Sequence, residues 1–136
     1  MRLDGWERRL AAVIEAARVR PYELGVHDCA SFAGECVKAL DGRDLWGTHA
    51  AGRYRSRAEF VRLLRAQGRG GYAAAVSRLL GVEPQPVAFA QRGDVVELRR
   101  GTRSHLGVCV GTHAAMPKLD GLAFVPLCDC RQSWRI

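Results

Sequence analysis

Asp28 and Cys29 are the adjacent residues of this chain whose types and position could do chemistry. Asp28 is a good helix N-cap and a helical pattern follows from Ala30 to Leu40, so Cys29 is expected in the first turn of a helix. Free backbone N–H groups and the positive end of the helix dipole meet there, and both favour an anion. A thiolate is such an anion, so the position should lower the cysteine pKa and raise its nucleophilic fraction. The same N–H groups could hold an oxyanion while an acyl group is attacked. The competing reading is a small core residue. Cys36 is read that way, on one helix face with Phe32 and Leu40.

A thiol nucleophile needs a general base, and His105 has a suitable setting. On a strand, side chains alternate, so His105, Gly107 and Cys109 share one face while Leu106, Val108 and Val110 share the other. One face is apolar; the second carries a histidine beside a glycine that leaves room for an approaching group. The competing reading is a surface histidine near a turn. His27 stands before the N-cap, a place from which side chains often point away from the helix, and His49 supports no assignment. Cys128-Asp129-Cys130 lacks the Cys-x-x-Cys spacing and the second pair of a structural zinc site, so no metal or other cofactor is expected.

The elements that must position these residues divide the chain in two. Leu3, Trp6, Leu10, Val13, Ile14 and Ala17 recur at helical spacing, and Arg20-Pro21 ends that run. The helix after Asp28 should stop near Gly42. Ser56-Arg57-Ala58-Glu59 fits a capping box, leading a helix through Phe60 and Leu64 towards Gly68, and another short helix covers Tyr72 to Leu80. From Val95 the pattern changes to strands: Val95 to Leu98, His105 to Val110 and Leu122 to Leu127, with Trp134 to Ile136 as a short edge strand. Helices followed by a meander predict a single α+β domain over 1–136, with N-terminal helices packed on a small antiparallel sheet.

Composition narrows the setting. The 136 residues suit one domain with a modest core, and 48% apolar with 26% charged content is ordinary for a globular protein. No apolar run is long enough to span a membrane, so no membrane insertion is expected. The first residues lack the apolar stretch of a signal peptide, and the expectation is cytosolic synthesis. Five cysteines cannot all pair, and reduced thiols are expected. The net charge of +7 raises nucleic-acid binding, but the arginines are scattered and nucleic acid is not the expected partner. A basic surface also suits an anionic polymer such as a cell wall.

Three segments resemble a known family. Pro21-Tyr22-Glu23-Leu24-Gly25-Val26-His27-Asp28-Cys29-Ala30-Ser31-Phe32 resembles the nucleophile motif of NlpC/P60 cysteine peptidases, where Tyr-x-Trp-Gly leads into Asp-Cys-Ser-Gly. Gln91-Arg92-Gly93-Asp94-Val95-Val96 is similar to their Pro-Gly-Asp-Leu-Val strand entry, and His105-Leu106-Gly107-Val108-Cys109-Val110-Gly111 to their His-Val-Gly-Ile-Tyr-Leu-Gly strand. The motifs keep the family order from Pro21 to Gly111. The chain looks closest to short proteins of this type encoded by tailed phages, prophages and gene-transfer agents.

The resemblance implies a papain-like fold and cleavage of amide bonds in peptidoglycan stem peptides during cell-wall penetration. It makes Cys29 the nucleophile and His105 the base, with Tyr22 near the thiol, positioning substrate or stabilising charge; the alternative is a Tyr22 that packs below the helix start. It implies peptidoglycan and other tail-tip proteins, of hub or fibre type, as partners, and incorporation in the virion tail after synthesis in the host cytoplasm. Leu24 stands where the family has tryptophan, and Ala30-Ser31 where it has Ser-Gly. The third catalytic member, which orients the imidazole, is a polar residue on the strand after the histidine. Pairing 105–110 with 122–127 sets His105 opposite Leu127 to Asp129, which makes Asp129 the candidate, and puts His113 and Asp120 at the far end of the hairpin. The alternative function is a catalytically inactive tail-tip or tail-assembly protein with an inherited peptidase fold.

Overall fold

A computed structural model describes residues 1–136. The helical half comprises α1 (Trp6–Ala17), α2 (Cys29–Asp41), the short α3 (Leu45–His49), α4 (Arg57–Ala66) and α5 (Gly71–Leu80). The strands are β1 (Gln85–Pro86), β2 (Val95–Arg100), β3 (Arg103–Cys109), β4 (His113–Lys118), β5 (Gly121–Pro126) and β6 (Gln132–Trp134). All neighbours pair antiparallel in the order β1-β6-β2-β3-β4-β5, so the α+β expectation is met. No helix is long and apolar enough to cross a membrane.

The core follows from the two periodicities. Leu10, Ile14 and Ala17 of α1 and Phe32, Ala33, Cys36, Val37 and Leu40 of α2 bury one stripe each against the sheet face carrying Val95, Leu106, Val108, Ala115, Leu122 and Trp134. Cys36 is the buried small hydrophobe expected, and burial pushes its thiol pKa well up. The opposite sheet face has its own small cluster of Val96, Leu98, Cys109, Ala114, Met116 and Cys130. Alternation along β2 and β3 separates the two clusters residue by residue.

The sheet departs from the expected meander at two points. His113–Lys118 is a strand, so β5 pairs with β4 and not with β3. The C-terminal strand ends at Trp134 and lies inside the sheet, between β1 and β2. Beyond the Val108–Ala115 and Cys109–Ala114 pairs, β3 and β4 separate, and Pro117 of β4 has no N–H to offer there.

Asp94 closes the molecule. Its fully buried carboxylate accepts from Arg2 Nη2 at 3.2 Å, Arg135 Nε at 3.0 Å, Ile136 N at 3.2 Å and Gln91 N at 2.9 Å. Both chain ends are thereby tied to the start of β2. Four donors offset the cost of taking this charge out of water. Asp94→Ala should cost about 2–4 kcal/mol, less than for a fully enclosed pair because both guanidiniums can rehydrate. The urea midpoint reads this loss, and an unchanged midpoint would show that the ends are held without Asp94.

Candidate active site

The site is built on the start of α2. Asp28 caps the helix: its side chain accepts from Ser31 N at 2.9 Å, and Ser31 Oγ accepts from Asp28 N at 2.8 Å, closing a capping box. Gly25 N donates to the second carboxylate oxygen at 2.9 Å. Gly25 has φ +84°, and a Cβ there would collide with the Tyr54 carbonyl oxygen, so the loop before the cap needs glycine. Tyr54 Oη, also buried, donates to Asp28 at 2.5 Å. The ring of Tyr54 packs on Trp46 at 5.5 Å and Phe60 at 4.9 Å between centroids, and Phe60 meets Tyr72 at 6.4 Å. This aromatic row leads from α3 to the start of α5.

Cys29 sits where the row meets the sheet, partly exposed and in contact with the main core. Its sulfur is approached by the N–H of Leu106, the hydroxyl of Tyr72 and the N–H of Ala30, each of which favours the thiolate. Burial opposes them, with the Asp28 charge adding to it, and the net thiol pKa is raised. The helix start therefore does not produce the lowered pKa expected from sequence. Tyr72 is half-buried, its hydroxyl buried without a hydrogen-bond partner, and burial with the neighbouring Cys29 holds it in its neutral, donating form. Tyr22 is near as expected: burial and then Cys29 raise its phenol pKa, while its N–H donates to Leu119 O at 3.1 Å.

His105 is on the expected strand with the expected alternation, but on the other side of the sheet from the thiol. It lies directly across from Leu98, whose face carries the second cluster, whereas Cys29 packs on the face of Leu106 and Val108. No hydrogen bond joins His105 to Cys29 or to a polar residue that would orient its ring. The neighbouring positions on that face of β4 are Ala114, Met116 and Lys118, none of which accepts from an imidazole. The space at Gly107 is taken by Met116, whose side chain would be 2.7 Å from an added Cβ, and is not free for an approaching group. Burial, then Arg57, Arg100 and Arg103, lower the His105 pKa and keep the ring neutral near pH 7.

Asp129 is not the third member. It is exposed in a 3-10 turn, Leu127–Asp129, that follows β5, and β4 separates β5 from β3. The same topology corrects Asp120, which turns between β4 and β5 at the opposite end of β4 from His113 and pairs with Lys118 at 3.4 Å. Cys128 is exposed and Cys130 buried, and no group of three His, Cys, Asp or Glu side chains converges as metal ligands. His49 ends α3 and lines an apolar cavity of about 100 Å³ under α3 and α4. Tyr54, Tyr72 and Arg57 gave no sequence signal, because each reaches the site through tertiary contact alone.

His27 is buried against Phe32 with both ring nitrogens unpartnered. Burial, then the Arg20 charge, lower its pKa, partly offset by Glu35 and Asp28. The fold thus favours neutral imidazole, and its contribution is lost as pH falls below the ordinary 6.5 towards the lower folded value. Unfolding across that range should show stability falling with acid, with a flatter profile in His27→Leu; parallel profiles would remove His27 from the account. The Cys29 thiol gives a second test. Peptide-resolved alkylation at neutral pH should modify exposed Cys128 well before Cys29, with Cys29 catching up only in alkali. Preferential labelling of Cys29 would reverse that reading of its ionisation.

No curated protein and no solved structure matches the chain significantly. One family model, described as a domain of unknown function (DUF6950), matches residues 1–136. A match over the entire length settles membership: the chain belongs to the DUF6950 family.

Proposed function

We propose that this protein is a papain-like, NlpC/P60-type domain serving as a structural tail-tip or tail-assembly component of a phage-type particle, with its peptidase fold retained and its catalysis lost. The fold part of this reading is supported by Asp28-Cys29 at a helix start packed on an antiparallel sheet, with the Gly93-Asp94 and His105 segments following in the family order. The observation that carries the functional part is the placement of His105. Its side chain leaves β3 on the face opposite Cys29, and no acid or amide stands behind it. A thiol with a raised pKa and no adjacent base is a poor nucleophile at neutral pH. The expected partners are other tail proteins, met after assembly into the virion.

The second reading, a cysteine endopeptidase acting on peptidoglycan stem peptides, is favoured by one feature. Leu106 N–H, Tyr72 O–H and Ala30 N–H lie near the sulfur, the kind of donor set that would stabilise a thiolate or an oxyanion beside it. In that case Cys29 would attack the peptide carbonyl, the amine would leave with a proton, and water would release the acyl-enzyme. Digestion of purified peptidoglycan, followed as release of free amino groups, separates the two. The structural reading expects background release from wild type and Cys29→Ala alike. Release by wild type that Cys29→Ala abolishes would establish the peptidase and overturn it.

A further inference from the structure

Two exposed arginines of α4, Arg57 and Arg65, meet at one cleft. Between α4, the start of α5 and the turn joining β2 to β3 lies an opening of about 290 Å³, lined by Arg57, Arg65, Thr102 and Ser104 above Val61 and Leu64. No acidic residue lines it. Arg100 and Arg103 pair with each other at the same end of the sheet, on the face of His105. None of these four arginines has an internal carboxylate partner; the ion pairs of the molecule use Arg2, Arg18, Arg20, Lys38, Arg43, Lys118 and Arg135. Glu59, the acidic residue of α4, bonds with its capping Ser56.

We infer that this cleft binds an extended, carboxylate-bearing peptide segment of a partner protein. Each wall fits part of such a segment. Unpaired guanidiniums at the rim take side-chain carboxylates in bidentate geometry. The hydroxyls of Thr102 and Ser104 can bond main-chain groups, and the aliphatic floor takes small apolar side chains between the acidic ones. Single-stranded nucleic acid fits less well. Base stacking uses exposed aromatic faces, and the aromatics of this cleft, Phe60 and Tyr72, are half-buried and packed on each other. The inference deepens the structural reading by naming the partner's chemistry, yet it rests on charge placement and does not require Cys29 to be inert.

Binding of a fluorescein-labelled peptide of alternating glutamate and valine, read by anisotropy at low salt, tests it. Wild type and Cys29→Ala should bind alike, which separates this result from the question of peptidase activity. Arg57→Glu with Arg65→Glu should weaken binding by about tenfold or more, and Arg8→Glu with Arg9→Glu on α1 by less than about twofold. All four positions are exposed, so the variants should keep the wild-type thermal midpoint. Raising salt to about 0.3 M should weaken the complex. Absence of peptide binding, equal losses in the two double variants, or displacement of the peptide by oligothymidine at a lower concentration than by unlabelled peptide would each overturn the inference.

Discussion

The Asp28 carboxylate is the group on which the geometry around the thiol depends. Removed from water, it is compensated by Gly25 N–H, Ser31 N–H and Tyr54 O–H, and each donor fixes a different part of the chain. Ser31 sets the first turn of α2, Gly25 folds the preceding loop, and Tyr54 pulls the α3–α4 connection against both. Tyr54 then supports Phe60, and Phe60 supports Tyr72, whose hydroxyl ends beside the sulfur. The same charge works against ionisation. It raises the pKa of Cys29 and of Tyr22, so the residue that positions the thiol also helps to hold its proton.

Sequence makes an element legible where its physics is local. Asp28 and Ser56 cap helices because their side chains bond N–H groups three residues on, a property visible in four letters of sequence. The strand over His113–Lys118 escaped that kind of reading. Its residues are small or interrupted by Pro117, with little of the β-branched or aromatic character that marks strands, and it is held by burial of Ala114, Ala115 and Met116 between neighbours. Without that strand, the 122–127 segment would pair with β3, and Asp129 would fall beside His105.

His105 shows a subtler failure. Its alternation with Leu106 and Val108 was legible, and so was the apolar character of their face. An apolar strand face is the one that helices cover, and Cys29 opens a helix. The pattern that made His105 accessible on a polar face thereby assigned it to the side away from the thiol. Motif order along the chain carries no information about which face a side chain leaves from, and resemblance alone could not supply it. Tyr72 was illegible for the converse reason: Cys29 and Tyr72 meet only because Asp28, Tyr54 and Phe60 bring distant segments together.

Charge placement follows the same division between local and global causes. Two acidic residues of the second half, Asp94 and Glu97, are committed inwards by the fold. Asp94 holds the chain ends and Glu97, buried in β2, accepts from Gln132 at 2.8 Å. Those carboxylates lie too deep or too fully engaged to neutralise arginines on the surface. Arg57 and Arg65 on α4 are left at the cleft without a carboxylate partner, while Arg100 and Arg103 at the β2–β3 turn share the sheet face of His105. The net charge of +7 is therefore a partitioned quantity. Asp94 is matched by arginines near the two chain ends, and part of the excess falls at the opening between helix and hairpin, where an external anion would balance it.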